Sequence, residues 1–163
     1  MIAPCSDARN SACSRPPPLP SIQGATVHDV IVNAYYVSRD ATGRDGLPSL
    51  RRKRLVGHAS GATIQDEEVI AGVEDLQVQV GTGDAEGTGP VLFADPSDAL
   101  LGDPLRRVVA VRLWLLVRAD SPEPGFVDDK RREFPPGRLA PAPRDAVRRL
   151  LVTTTVYLRN TRS

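Results

Sequence analysis

The sequence predicts an α+β fold that is mainly β, built as an antiparallel β-meander. Three observations predict it: several runs alternate apolar and polar side chains, loops rich in Gly and Pro separate these runs, and helix candidates are few. Aromatic residues make up only 4% of the chain, so Val and Leu must supply most of the core, and β-branched Val favours strands. Because so few helices are available for parallel crossovers, successive strands are expected to run antiparallel.

Length and composition indicate one folded domain behind a polar leader. The 163 residues are 40% hydrophobic and 25% charged, near globular averages. Residues 1–26 are predicted to be a disordered Pro-rich leader, in which Arg15–Pro20 forms an extended polyproline II spacer. Residues 27–163 are predicted to form the β head domain.

Two strands joined as a hairpin are expected to open this domain. Residues 30–37 alternate as a strand and end in the turn-rich segment 40–46, and a second strand covers residues 50–56. The run of four cations from Arg51 to Arg54 resembles a nucleic-acid patch, but a strand divides its side chains between two faces. We therefore interpret these residues as solvated charges that protect an edge strand.

The hydrophobic period changes between residues 66 and 80. The residues at helical spacing are Val69, Ile70, Val73 and Leu76, whereas those from Leu76 onward alternate as in a strand. These patterns predict a short helix or turn that leads into a strand. Gly72 disfavours a helix, so an extended segment with a bulge at Gly72 is the alternative.

Residues 107–119 carry the strongest strand pattern and are expected to form a central strand. Trp114, in the middle of this strand, is predicted to be a core residue rather than an anchor for a partner. Residues 120–143 are too rich in Pro to hold a central strand, residues 144–149 are predicted to add a helical turn, and residues 150–159 form the last strand. One face of the central strand is an apolar stripe: Val109, Val111, Leu113, Leu115 and Val117.

This stripe needs a cover. A single sheet with an apolar stripe on one face must bury it against another layer. The chain offers only weak helix candidates for that role, so a helix from outside the sequence is the simplest cover.

The charge and the polar residues point away from catalysis. A net charge of +1 gives no long-range field that would steer the protein to nucleic acid or anionic lipid. His28 and His58 have no metal-ligand partner at short spacing, and Asp84 with Glu86 is too sparse for a calcium site. The Gly-rich segment 81–90 lacks the Lys-Ser/Thr ending of a phosphate loop and is expected to be a hairpin loop. We predict no catalytic residue, no metal and no cofactor. The protein is therefore not expected to be an enzyme.

Two cysteines lie close together in the leader. Cys5 and Cys13 are a candidate disulfide if the protein is exported, and two unpaired thiols in a mobile tail are the alternative. No apolar run approaches the length that spans a bilayer, and the N-terminus lacks the pattern of a signal peptide. The chain as written is therefore expected to lack an export signal.

Four segments resemble the PilW-type minor pilins of type IV pili. Residues 68–81 are similar to the family's "elvegVedlqvqyG" segment, and residues 108–118 to its "vvaVrvwLLvR" strand. Residues 148–160 are similar to the closing "rRlfttTvqLRN", and residues 34–50 to the "yyvg…g.PaLyR" hairpin. The resemblance covers most of the chain from about Val27 onward.

The resemblance implies a pilin-like head whose antiparallel sheet leans on an N-terminal spine helix. It implies a structural role in pilus assembly and priming and in the tip complex, through binding to other minor pilins and a tip adhesin. It further implies a location at the periplasmic face of the inner membrane or in the extracellular pilus, with membrane contact only through the spine helix. Its alternatives are a minor pseudopilin of a type II secretion system and a stand-alone ligand-binding β domain.

The sequence departs from the family pattern in two places. The cleaved leader, the apolar helix and the glutamate that pairs with a neighbouring subunit are absent, so no assembly residue can be carried over. The acidic loop after residue 81 is reduced to Gly81–Gly87. A truncated chain is the favoured explanation, with a misplaced start codon or a non-functional remnant as the alternatives.

Overall fold

The computed structural model describes residues 31–58, 61–84 and 89–158, in which β-strands dominate. One short 3₁₀ helix, Ala99–Gly102, is the helical element of this part of the chain. In the same residues, no helix is long and apolar enough to cross a membrane. The strands are β1 (Asn33–Ser38), β2 (Ser49–His58), β3 (Gly61–Ala71), β4 (Val73–Asp84), β5 (Leu92–Ala94), β6 (Arg106–Arg118), β7 (Arg132–Glu133), β8 (Leu139–Ala140) and β9 (Arg149–Tyr157).

The first sheet is a three-stranded antiparallel meander in the order β1-β2-β3. Val37 lies opposite Leu50, and Leu50 lies opposite Ile70, so β2 is the middle strand. The predicted hairpin at the start of the domain is confirmed. The prediction that the Arg51–Arg54 run lies on an edge strand is wrong, because β3 covers its second side.

The predicted helix before residue 76 is wrong, because residues 61–71 form a strand. A β-hairpin partner is available to them in β2, and the pairing satisfies their backbone groups without a helix. Gly72, at φ +85°, is the single residue that separates β3 from β4. The extended alternative is therefore correct, but Gly72 marks the change from one sheet to another rather than a bulge inside one strand.

The second sheet is antiparallel with strand order β5-β4-β6-β9. β6 has neighbours on both sides, as predicted for the central strand, and β9 is an edge strand. Thr82 lies opposite Val108 and Gly81 opposite Ala110, which leaves Val109 as an extra residue at a bulge. Between β6 and β9 the register is unbroken from Ala110↔Tyr157 to Arg118↔Arg149.

A small two-stranded hairpin, β7 and β8, lies within the long Pro-rich loop. Its first strand leads into Phe134, which is 2% exposed and packs with Trp114 and Leu116. The loop therefore supplies core residues, although it holds no central strand. The predicted single sheet is wrong, since the described residues form two sheets and this hairpin.

The helical turn predicted for residues 144–149 is also wrong. Arg144 adopts φ 57°, outside the right-handed helical region, and its N–H donates to the carbonyl oxygen of Asp128 at 2.9 Å. The Asp145 carboxylate is bound by a later arginine, Arg149, rather than placed to cap a helix. Mainly β structure with very little helix is confirmed as the fold class.

Candidate functional site

The second sheet presents an apolar face that is formed by three adjacent strands. Directly opposed residues of antiparallel strands share a face, so the register shows which side chains lie together. Except for one threonine, the members of this apolar face are aliphatic. They are Leu76, Val78 and Val80 of β4, Val111, Leu113, Leu115 and Val117 of β6, and Leu150, Val152, Thr154 and Val156 of β9.

The apolar face is open along β9. Leu150 is 65% exposed, Val156 48% and Val152 39%, which is unusual for adjacent aliphatic side chains on one strand. The members on β4 and β6 are half-buried. Contiguous apolar surface of this kind marks an interaction site more often than an idle surface. The stripe predicted on β6 is present, and the described residues do not bury it completely.

The opposite face of the same sheet is covered by the chain itself. Trp114 is 5% exposed and Leu116 is 9% exposed, and both pack with Phe134 from the Pro-rich loop. Leu151 of β9 packs against this cluster. Trp114 is therefore a core residue, as predicted. The sheet is closed on this face around Trp114 and open on the other, and Tyr157, at the end of β9 on the closed face, is exposed.

Arg112 extends the closed face towards β5. Its guanidinium lies 3.7 Å from the centre of the Phe93 ring and 5.9 Å from that of Trp114. A guanidinium stacked on an aromatic ring keeps its charge while its stem covers apolar surface. Arg112, a charged residue on the same face of β6 as Trp114, is thus accommodated without opening the packed cluster around Trp114.

An ion-pair cluster centred on Arg149 fixes the Pro-rich loop to the end of this sheet. The Arg149 side chain is 5% exposed and donates to Glu74 at 2.5 Å and to Asp145 at 2.6 Å. Asp128, whose side chain is 1% exposed, accepts from Arg132 at 2.9 Å and from Arg149 at 3.4 Å. Each buried charge therefore has partners, which is what allows it to be buried.

The pKa values of this cluster follow from its geometry. Hydrogen bonds from Arg149 and from the Val147 N–H lower the pKa of Asp145 from 3.8 to about 2. Burial alone would raise the pKa of Asp128, but hydrogen bonds from Arg132 and the Lys130 N–H outweigh it, so the pKa is lowered. The Asp145 and Glu74 carboxylates raise the pKa of Arg149. Asp128, Asp145 and Arg149 therefore stay charged at neutral pH, and their ion pairs hold the loop in place, which is a structural role.

The four cations of the Arg51–Arg54 run are divided between the two faces of the first sheet, as predicted. Arg51 donates to Asp66 at 2.9 Å on one face, and Arg52 donates to Glu67 on the other. Arg54 also reaches Glu67, at 3.2 Å. Carboxylates on β3 thus neutralise these arginines, which leaves no continuous basic patch for nucleic acid on this sheet.

The remaining predicted site residues are not brought together in the described residues. Cys5, Cys13, His28 and Glu86 lie outside them, and His58 ends β2. Asp84 accepts a hydrogen bond from the Gly89 N–H at 2.7 Å, a contact that closes the loop between β4 and β5. Within residues 31–58, 61–84 and 89–158, no group of three metal-ligating side chains forms.

A shallow depression of about 460 Å³ lies between the second sheet and the Pro-rich loop. Arg138 donates to the Gln77 side chain at 2.6 Å across it, and Asp95 and Pro135 line it. The depression is open to solvent and is bridged by the protein's own hydrogen bond. It therefore gives little support to a stand-alone ligand-binding domain.

Comparison with known proteins adds one finding. A family model described as Type IV Pilus-assembly protein W matches residues 34–160, which include every strand except the first residue of β1. No curated protein and no solved structure matches the chain.

Proposed function

This chain belongs to the family of type IV pilus-assembly protein W, and from that premise we propose that it is a minor pilin that acts by binding other proteins. Membership associates the chain with the cell envelope and the pilus, and with a family of assembly proteins that are not known as enzymes. The specific role proposed is the priming of pilus assembly, with a place in the tip complex.

The observation that carries this proposal is the open apolar face of the second sheet. Neighbouring strands lie roughly 5 Å apart, so the axes of β4 and β9 are about 10 Å apart, which is close to the diameter of a helix with its side chains. Leu113 and Leu115 run along the middle of this strip. An apolar helix laid along β6 would contact all three strands at once, and we propose the spine helix of the pilin as that cover.

The partners proposed are other minor pilins and a tip adhesin. Those contacts would be made by the surfaces that the spine helix does not cover, which are the sheet edges and the loops at either end of the head. The charged first sheet supports this assignment, because its ion pairs on both faces keep it solvated and available for polar contacts. No membrane contact is proposed for the head itself.

The test is co-purification of the protein, with its native upstream helix attached, against a panel of minor pilins. We expect a complex with at least one partner, and we expect Leu113→Lys to abolish it by placing a charge under the helix. Leu139→Lys is the matched control, because Leu139 is 56% exposed on β8, away from the apolar face. If no pilin binds, or if both variants behave alike, the proposal is wrong.

A further inference from the structure

The outer edge of β9 carries a regular row of backbone groups that no other strand of the described residues pairs with. β9 is the last strand of the order β5-β4-β6-β9, and no described segment pairs with its outer side. The Leu158 N–H donates to Val109 at 2.9 Å, and the Arg148 carbonyl accepts from the Ala119 N–H at 2.8 Å, so the even-numbered positions point towards β6. Backbone groups alternate along a strand. The outward groups are therefore those of Leu151, Thr153, Thr155 and Tyr157.

This edge lacks the devices that normally prevent strand pairing. Exposed edges are protected by charged side chains, by Pro, by bulges or by short length. From Leu150 to Leu158 the sequence holds no charged residue and no Pro, and its register with β6 has no bulge. The strand Arg149–Tyr157 is nine residues long. Such an edge is suited to receive another strand.

The sequence of β9 indicates which strand it receives. Read outward from Thr154, both directions give threonine, then valine, then a large apolar residue, then leucine. We propose that a second copy of this chain pairs with β9 in antiparallel fashion about a two-fold axis at Thr154. The opposed residues would be Thr153 with Thr155, Val152 with Val156, Leu151 with Tyr157, and Leu150 with Leu158.

This register gives hydrogen-bond partners to the outward backbone groups and favourable pairs to the side chains. Thr153 opposes Thr155 and Leu151 opposes Tyr157, so the outward N–H and carbonyl groups of each copy meet those of the other as hydrogen-bonded pairs. Threonine pairs and valine pairs across strands are favourable, and the contact is isologous, as a two-fold dimer requires. The apolar faces of the two copies become one continuous surface. The inference does not depend on the proposed pilin role.

Disulfide trapping tests the register. In a background with Cys5→Ser and Cys13→Ser, Thr154→Cys places two thiols at a non-hydrogen-bonded pair, where Cα atoms are about 4.5 Å apart and a disulfide closes readily. We expect mild oxidation to give a covalent dimer. Thr153→Cys is the matched control. In the proposed register, residue 153 opposes Thr155 of the second copy, and the two introduced cysteines lie diagonally, about 7 Å apart or more. A disulfide does not close over that distance.

Light scattering on the full chain tests the dimer itself. We expect a mass twice the 17.6 kDa of the chain. Thr155→Pro removes an outward N–H without touching the backbone hydrogen bonds to β6 and should give a monomer, whereas Thr155→Val keeps that N–H and should remain dimeric. Both variants lose the 3.3 Å hydrogen bond that Arg112 Nε donates to the Thr155 hydroxyl, so the comparison isolates the outward N–H. A monomeric native chain, or cross-linking that is equal at positions 153 and 154, would overturn the proposal. The cross-linking result decides the matter even where Thr155→Pro does not fold.

Discussion

The carbonyl oxygen of Gly72 accepts a hydrogen bond from the Arg118 N–H at 2.7 Å, and the carbonyl oxygen of Arg118 lies 2.8 Å from the point where a side chain at residue 72 would begin. The chain passes from one sheet to the other at this point, with φ at +85°. Gly72→Ala therefore adds both backbone strain and a clash. We expect it to lower the free energy of unfolding by about 2 kcal/mol or more, measured by urea denaturation.

Gly43→Ala is the control for the strain alone. Gly43 has φ +70° and open space around its α-carbon. Its substitution should cost about 1 kcal/mol, the ordinary penalty for a side chain in this conformation. Equal losses at the two glycines would show that the contact with Arg118 does not constrain residue 72.

Arg149→Met should destabilise the domain strongly. The substitution keeps most of the side-chain volume but leaves Asp128, whose side chain is 1% exposed, and Glu74 with fewer partners. Breaking a buried ion pair from one side typically costs about 3–5 kcal/mol. Arg148→Met, at a side chain that is 59% exposed, should cost far less, because ion pairs between exposed side chains contribute little to stability. If urea denaturation gives similar losses for the two variants, the cluster does not hold the loop.

The stability of the domain should fall at acid pH through the same cluster. The folded-state pKa of Asp145 is lowered from 3.8 to about 2, so its contribution is fully present above the unfolded value and is lost as the pH falls through about 2. The lowered pKa of Asp128 acts in the same direction. Thermal unfolding followed between neutral and strongly acid pH should show the loss, and Asp145→Asn should flatten the curve below about pH 4. An unchanged profile in Asp145→Asn would contradict the assignment.

Phe134→Ala should loosen the Pro-rich loop from the sheet. Phe134 is 2% exposed and packs on Trp114, so its truncation leaves a cavity and should cost about 3–5 kcal/mol. Tryptophan fluorescence should shift to the red as Trp114 gains contact with water. Val127→Ala, at a side chain that is 62% exposed in the same loop, should change stability by less than about 0.5 kcal/mol. A fluorescence spectrum identical to that of the native chain would rule out this packing.

The disulfide between Cys5 and Cys13 stays a prediction, because both residues lie outside the described part of the chain. Protein purified from an oxidising compartment should react with a thiol reagent only after unfolding and reduction. Protein from a reducing compartment is the comparison and should react at once. Immediate reaction of both thiols in the exported protein would favour the alternative of two unpaired cysteines.

Strand positions were predictable wherever a pattern of period two was long. The segments 107–119 and 150–159 were found because the alternation there extends over nine or more residues. The helix predicted from Val69, Ile70, Val73 and Leu76 was wrong because four apolar residues are too few to exclude a strand, and the pairing of β3 with β2 decided the conformation. The spacing of apolar residues within one segment does not show which other strand that segment will pair with.

The Arg149 cluster could not be predicted in the same way. Arg149 and Glu74 are 75 positions apart in sequence, and the bulge near Val73 that places Glu74 beside β6 leaves no mark in the alternation. Phe134 was missed because a Pro-rich loop gives no periodic pattern, although an aromatic residue in such a loop is a reasonable indication that the loop packs on a core.

The surface charges of the first sheet can be substituted without disturbing the core of the second sheet. Its ion pairs lie on both faces, Arg51 with Asp66 on one and Arg52 with Glu67 on the other, so the part of the sheet beyond the buried Leu50 is not committed to a hydrophobic interior. Exchanging the charges of such a pair leaves Trp114 and Phe134 undisturbed. If partners bind here, as the proposed function implies, substitutions on this sheet would change binding preference without altering the packing of the second sheet.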